Sequence, residues 1–428
     1  MTASLRTRVE ALLRENDRGG YCVPSGKLYP HQWNWDSAFI AIGWAWIDPR
    51  RAASELTTLA RGQWADGLIP HIIFSDAGHY EPGPVQWKTI DAPGGPRGAH
   101  ASSITQPPVA ATAARLVLER SGGDLSIEDT LRGFFPVLER WHEWFAATRD
   151  PRGIGAPAIV HPWESGMDNA PRWDDAMRAI EPGAITYKRA DLGVISAEQR
   201  PTRYDYDRYF FIVNHRAAVG FAPPVPETEP LLVADVAIAS ILCRAEADLA
   251  WLAEALGLPG APAARARRAR LEAALAGPLY DASRGRYQDV DVKTGEAMVV
   301  EHVATLLPLY AGVVPPERAR TMAALLADPD AYGTPWPVPS VPPREPTFEA
   351  RRYWRGPSWV NVNWLLVEGL RASGLTADAE RLAARTLELV ERSGFWEYFD
   401  PLTGEGCGTD GFSWTAALAL DLEKRVLG

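Results

Sequence analysis

Cysteine is scarce in this chain: three residues in 428, Cys22, Cys243 and Cys407, an odd number at unrelated spacings. Such a set suggests neither a disulfide framework nor a zinc site, and it suits a reducing compartment. No stretch approaches the ~20 apolar residues of a membrane span. The N-terminus alternates charges through an amphipathic segment and has no apolar run of signal-peptide type, so the expected location is the cytoplasm. Basic clusters are missing as well. The 44 Lys and Arg stand against 54 Asp and Glu, a net of −10, which opposes nucleic-acid phosphate and anionic lipid as partners. Gly-x-Gly-x-x-Gly after a strand, Gly-Lys-Ser/Thr and Gly-x-Ser-x-Gly are all lacking, and the eight histidines fall in no metal-ligand spacing. No metal or cofactor is therefore expected, and the partner that remains is a small, mostly neutral molecule. The sequence leaves room for a homo-oligomer.

What the chain has in abundance is tryptophan, 17 residues gathered in clusters. Trp44, Trp46, Trp141 and Trp144 stand in helical patterns and read as core. Trp33, Trp35, Trp354 and Trp396 have polar, turn-forming neighbours and read as ligand-facing, because indole faces stack on the C–H faces of sugar rings.

Apolar residues recur at three- and four-residue spacing over eleven segments: 37–46, 51–64, 109–119, 129–147, 231–255, 263–275, 303–312, 316–326, 360–373, 377–393 and 412–425, besides 5–14 near the start. Several pair across short breaks, as where Gly374 ends one helix and Thr376 caps the next. Strand-like pieces are short and lie between helices, so the class is all-α with helix hairpins. The longer breaks, 72–106, 151–207 and 328–355, are rich in Gly, Pro and Trp, and loops of that length usually carry function. We expect one domain over 1–428 with a loop-rich insertion at about 151–207.

Tyr287-Gln-Asp-Val-Asp-Val-Lys-Thr-Gly-Glu296 echoes Trp396-Glu-Tyr-Phe-Asp-Pro-Leu-Thr-Gly-Glu405, and both read as a tight turn between two short strands. Gln288 occupies the place of Glu397, so the turn itself needs no carboxylate there. Glu397 then becomes a candidate for chemistry. Its counterpart is Asp168 in His161-Pro-Trp-Glu-Ser-Gly-Met-Asp168, where Trp163 and Met167 supply an apolar wall that raises a carboxyl pKa. Glu164 competes for the same role. Two acids among Trp, Gly and Pro suit the acid and base that cleave a glycosidic bond.

Further candidates line the same pocket. Tyr29-Pro-His-Gln-Trp-Asn-Trp-Asp36 offers Tyr29, Gln32, Trp33, Trp35 and Asp36; Asp36 is read either as an N-cap or as a carboxylate gripping sugar hydroxyls. Tyr353, Trp354 and Arg355 open the third long helix-entry segment, where Arg355 contacts substrate or pairs with Glu164 or Glu397. Trp396 to Trp414 forms the last segment, through four glycines that permit close approach. His71, after the turn Asp66-Gly-Leu-Ile-Pro70, is included, whereas His302 reads as an ordinary hydrogen-bonding residue.

Tyr353-Trp-Arg-Gly-Pro357, with Gln32-Trp-Asn-Trp-Asp36, Glu164-Ser-Gly-Met-Asp168 and Phe412-Ser-Trp-Thr415, resembles glycoside hydrolase family 63, and within it the compact bacterial mannosylglycerate and glucosylglycerate hydrolases. The likeness spans roughly residues 20 to 420. It implies an (α/α)6 toroid, an inverting mechanism, Asp168 as acid and Glu397 as base, with carboxyls about 6.5–9.5 Å apart. It also implies that Tyr29, Trp33, Trp35, Asp36, Gln106, Trp163, Trp354, Arg355 and Trp396 line the sugar and aglycone subsites. A glycerate aglycone asks for a cation such as Arg355 or Arg208. A trehalase-like or α-glucosidase activity on a disaccharide would prefer aromatics and carboxylates there, and a sugar-binding or epimerising toroid would release no product. His31 and Met167 depart from the pattern and leave the substrate open.

Overall fold

Asn34–Trp44 is buried at all eleven of its positions and Ser413–Leu422 at all ten. Helices without a polar face must be enclosed by others. The computed structural model describes residues 4–75 and 80–427 and shows how this is done. Six inner segments, Asn34–Trp44, Ala110–Glu119, Val236–Ala255, Pro308–Ala311, Val360–Ala372 and Ser413–Leu422, touch one another in that order, and the last packs back on the first. Leu5–Glu15 precedes the first of them, and between them along the chain come Pro49–Thr57, Leu125–Thr148, Ala261–Ala276, Pro316–Ala327 and Thr376–Ser393. These are amphipathic: Leu5–Glu15 buries only Leu5, Val9 and Leu13, and Thr376–Ser393 buries Ala379, Leu382, Ala383, Thr386, Leu389 and Val390. The result is the expected all-α (α/α)6 toroid.

The ring closes where helices from the two ends of the chain meet. A Cβ on Gly43 would lie 2.5 Å from the Cα and Cβ of Ala417, so the first and last inner helices approach as closely as their backbones allow. At the C-terminal ends of the inner helices, Asp421 accepts hydrogen bonds from Trp46 (2.8 Å), Trp364 (2.7 Å) and Arg120 (2.6 Å), tying three further positions together. Trp44, Trp141 and Trp144 are buried as core residues, and Trp46 is half-buried.

Most helix boundaries fall within a few residues of the pattern, and the exceptions have local causes. The helix expected from residue 231 begins at Val236, because Asp235 caps it through the amides of Ala237 and Ile238 while Val233–Ala234 forms a strand. The segment 303–312 divides into a 3-10 turn, Val303–Leu306, and the short helix Pro308–Ala311, as Pro308 has no N–H to continue the ladder. Thr376 is the first helical residue rather than the cap. The largest omission is Arg203–Ala218, a helix of 16 residues opened by a Thr202–Asp205 capping box. Its ring of aromatic residues lacks one apolar stripe, so the period of 3.6 does not show. The break 72–106 includes Asp76–His79, which lie outside the described residues.

Short strands anchor the long breaks. Ala158–Ile159 and Val233–Ala234 pair antiparallel, so the long insertion leaves and re-enters the toroid at one place, and Val233–Ala234 pairs on with Asp289–Asp291. The two echoed turns are built alike. Asp291 accepts from the amides of Lys293 (2.8 Å) and Thr294 (3.3 Å), as Asp400 does from Leu402 (2.8 Å) and Thr403 (3.2 Å). No helix of the described residues is long and apolar enough to cross a membrane.

Gly43→Ala should cost about 1–3 kcal/mol through overpacking against Ala417. Gly133→Ala, exposed within Leu125–Thr148 with nothing within 4 Å of the added methyl, should instead stabilise by roughly 0.5–1 kcal/mol. Urea-unfolding midpoints of the two variants moving in the same direction would contradict the close helix contact.

Candidate active site

N-terminal ends of inner helices, with the segments leading into them, converge on one cavity. Two strands set which side chains reach it. In Gln32–Trp33, paired with Ile72–Ile73, alternate residues face opposite sides, and Trp33 takes the cavity side. In Trp396–Phe399 the alternation gives the cavity to Glu397. The partner strand is irregular there: Trp396 pairs with Asp410 and Tyr398 with Cys407, so Gly408 and Thr409 together stand opposite Glu397. Such a bulge re-aims a side chain. Gly408 has φ +72° and a Cβ there would collide with the Glu397 carboxylate, which only glycine avoids.

Glu397 is 1% exposed and is held by three donors from separate parts of the chain. Tyr29 donates its hydroxyl to Oε1 at 2.7 Å, Arg200 approaches the same oxygen at 3.5 Å, and the Thr409 amide donates to Oε2 at 3.3 Å. Burial raises its pKa above the usual carboxylate range, while Arg200, Tyr29 and Thr409 work against the rise. Asp168 borders the same cavity and is only partly buried by its surface, yet no side-chain donor bonds its carboxyl in the described residues. Burial pushes it up to about 7, with Arg200 restraining the rise and the Glu397 charge adding to it. The third carboxyl, Asp36, sits in the first turn of Asn34–Trp44 with Trp33 as the cap residue, so it is not the N-cap. Burial and then the Glu397 charge lift its pKa well above the usual range.

The loop of Asp168 is fixed on three sides. Glu164 accepts two bonds from Arg149 (2.8 and 2.6 Å) and the amides of Thr105 (3.1 Å) and Val160 (2.8 Å). Tyr209 donates to the Asp168 carbonyl at 3.0 Å, and the Trp354 amide donates to Asn169 at 3.0 Å. Arg172, fully buried, is clamped between Asp235 (3.0 Å) and Asp289 (2.9 Å).

Aromatic rings make the walls. Trp354 stacks on Trp359 at 3.8 Å with planes 2° apart, Trp35 leans on Trp414, and His71 stacks on Trp163 at 6.0 Å. His71 is neutral at ordinary pH, because burial holds its pKa well below the usual value, and it shares a hydrogen bond with Ser102 at 2.5 Å. Gln106 accepts the Trp35 amide at 3.2 Å. Tyr353 has φ +38°, strained for a residue with a side chain, and the Trp359 indole N–H bonds its carbonyl at 3.2 Å. Tyr29, Trp33, Trp35, Asp36, His71, Gln106, Trp163, Asp168, Tyr353, Trp354, Glu397 and Trp414 of the expected set all border the cavity.

Five expected residues lie elsewhere. Gln32, on the opposite face of its strand from Trp33, bonds Ser37 (3.0 Å) and Thr58 (2.7 Å). Glu164 is the buried partner of Arg149 and so does not compete with Asp168. Arg208 donates to the carbonyls of Met177 (2.7 Å) and Tyr204 (3.1 Å). Arg355 forms a two-pronged pair with Asp174 (2.9 and 2.8 Å), and neither Glu164 nor Glu397 is its partner. Trp396, next to Glu397, faces away and donates to the Ser393 carbonyl at 2.9 Å.

The cation that the sequence reading missed is Arg200, 3% exposed and the one guanidinium bordering the cavity among the described residues. It lies over the Tyr353 ring at 4.1 Å and donates to the Tyr29 hydroxyl at 3.1 Å. Only Pro201, which holds its predecessor extended, marks the position in the sequence. Tyr80, Tyr206 and Phe412 also border the cavity and were not anticipated.

Comparison with known proteins agrees with this geometry. The family described as mannosylglycerate hydrolase MGH1-like glycoside hydrolase domain matches residues 29–415. Mannosylglycerate hydrolase MGH1 of Selaginella moellendorffii is 42% identical over 98% of this chain and 86% of its own. Glucosylglycerate hydrolase of Mycolicibacterium hassiacum is 37% identical over 97% of each. The crystal structure of the GH63 mannosylglycerate hydrolase from Thermus thermophilus in complex with Tris and D-glycerate superposes with a TM-score of 0.91 at 42% identity, covering 97% of this chain and 99% of that one.

In protein labelled with ¹³C at the Asp carboxyls, one resonance should titrate near pH 7 and be absent from Asp168→Asn. A spectrum in which that substitution removes only a resonance titrating near 4 would mean that Asp168 is an ordinary, solvated acid.

Proposed function

The chain belongs to the mannosylglycerate hydrolase MGH1-like glycoside hydrolases, and from that membership we propose that it hydrolyses glucosylglycerate or mannosylglycerate with inversion at the anomeric carbon. It is a glycosidase, which sets aside the reading as a non-hydrolytic toroid. The observation that carries the assignment of roles is the unequal company of two carboxyls in one cavity. Glu397 receives three donors that favour its anion, while Asp168 receives no side-chain donor from the described residues and holds a proton up to about pH 7. Pairs of acids whose surroundings are unequal in this way divide into base and acid.

Asp168 protonates the departing glycosidic oxygen as the bond to the anomeric carbon breaks. Glu397 takes a proton from a water attacking the opposite ring face, and the product sugar leaves with inverted configuration. The Tyr29 and Thr409 bonds keep the Glu397 carboxylate from turning, so its basic lone pair stays aimed at one position. The aromatic walls supply ring faces for the sugar, and Asp36 supplies a carboxyl for its hydroxyls. Glycerate brings a carboxylate, and Arg200 is the buried cation that meets it. A disaccharide such as trehalose brings no charge, and Arg200 would then have no substrate partner; this favours the glycerate glycosides over the trehalase-like reading. The three free cysteines are all buried, which fits a reducing compartment, and we place the enzyme in the cytoplasm.

Released monosaccharide should be found with glucosylglycerate or mannosylglycerate and be far weaker with trehalose or kojibiose. Asp168→Asn and Glu397→Gln should each lower kcat by about 10²–10⁴-fold while the proteins stay folded. As Asp168 acts in its protonated form, kcat/KM should fall as pH rises through about 7. Proton NMR should show the β-anomer of the sugar first. Wild-type turnover in either variant, or the α-anomer appearing first, would end the assignment.

A further inference from the structure

Arg200 owes its place to a residue nine positions upstream. Asp191, 5% exposed in the 3-10 turn Asp191–Gly193, accepts the Arg200 Nε–H at 3.1 Å through Oδ2. The same carboxylate accepts two bonds from Arg189, at 3.0 Å on Oδ1 and 2.6 Å on Oδ2, and the Tyr206 hydroxyl at 3.4 Å. Arg189 is in turn stacked on the Tyr206 ring at 3.9 Å and donates to the Pro201 carbonyl at 2.8 Å. None of these groups except Arg200 and Tyr206 borders the cavity. They form a bracket behind the cation.

The backbone of Arg200 is fastened separately. Tyr398 donates to the Gln199 carbonyl at 2.7 Å, the Gly408 amide donates to the Gln199 side chain at 2.9 Å, and Arg352 donates to the Arg200 carbonyl at 3.0 Å. Those bonds tie residues 199–200 to the hairpin that bears Glu397 and to Arg352, so the backbone of Arg200 is set without Asp191. What Asp191 adds is a hold on the Nε edge of a long side chain that otherwise rests on Tyr353, Tyr29 and Glu397. With Nε held, Nη1 reaches Tyr29 and Glu397. A guanidinium gripped on one edge presents the rest of its fork in a fixed plane, which is the geometry that a second carboxylate needs.

We propose that Asp191, braced by Arg189, is the positioning residue that orients Arg200 and so gives the enzyme its preference for an acidic aglycone. The proposal rests on the reading of Arg200 as the partner of the substrate carboxylate. Asp191 touches no substrate and acts only through Arg200. A merely structural role would weaken the enzyme toward every substrate equally, whereas a positioning role selects by aglycone charge.

The test compares kcat/KM for the glyceric glycoside with that for the methyl α-glycoside of the same sugar, in wild type and in Asp191→Asn. The amide keeps the shape of the carboxylate but loses its charge and replaces one acceptor oxygen by an NH2 that repels the facing guanidinium N–H. The ratio of the two activities should fall tenfold or more in Asp191→Asn, carried mainly by a higher KM for the glyceric glycoside. Arg189→Lys, which keeps the charge but loses the two-pronged grip, should lower the ratio in the same direction by a smaller factor and serves also if Asp191→Asn does not fold. Equal losses on the two substrates in both variants would overturn the role of Asp191. A wild-type enzyme with no preference for the acidic glycoside would instead defeat the substrate reading on which the proposal stands, and the two failures are thus told apart.

Discussion

A carboxylate buried at the floor of an aromatic cavity has to be solvated by protein, and Glu397 is solvated by groups that the fold must first bring together. Removing a charged carboxylate from water costs several kcal/mol even after relaxation. Here the opposing terms come from Tyr29 near the start of the chain, Arg200 in the long insertion and Thr409 near the end. No local segment can supply that set. Once buried, the base keeps its anion only because the closed toroid brings these donors to it, which makes the ring closure at Gly43 and Ala417 a condition of the chemistry as well as of stability.

The architecture separates these demands in space. The C-terminal ends of the inner helices are locked by Asp421 and its tryptophan and arginine partners, a group with no route to the cavity. The opposite ends carry the segments that differ most from regular structure: a bulged hairpin, an insertion pinned at its base by two-residue strands, and Tyr353 at a positive φ. Irregular backbone of this kind persists only where the surroundings over-determine it. Around Tyr353 they do so, with Arg200 on its ring, Trp359 on its carbonyl and Asn169 on the next amide.

Helices were legible in the sequence because their burial demands a period, and the two acids were legible because their neighbours are aromatic, glycine or proline rather than basic. The comparison of Gln288 with Glu397 has a physical basis: both hairpins close with the same Asp and Thr bonds, so a difference outside that turn reports something other than the turn. Errors arose where a sequence motif mixes two faces. Gln32 beside Trp33, and Trp396 beside Glu397, are strand neighbours, and strand neighbours point to opposite sides. Treating each motif as a unit enrolled both. Arg355 failed differently, since its partner Asp174 is 181 positions away and no local pattern announces it. Arg200 and the helix Arg203–Ala218 escaped because their place depends on contacts with Asp191, Tyr353 and the Glu397 hairpin rather than on periodicity.

The proposed division of labour between the acids follows from donors rather than from residue type. Asp is ordinarily the stronger acid of the two, yet Asp168 retains its proton to about pH 7, because burial acts on it with no side-chain donor in opposition. Glu397, more deeply buried, is pulled back toward its anion by Tyr29, Arg200 and Thr409. Arg200 is the group common to both, since its charge lowers the pKa of each acid. Under the proposed roles, a substrate carboxylate engaging Arg200 would draw part of that charge away from Glu397 and leave the base more willing to take a proton from water. Recognition of an acidic aglycone and activation of the base are then coupled through a single guanidinium, and the orientation of that guanidinium governs both.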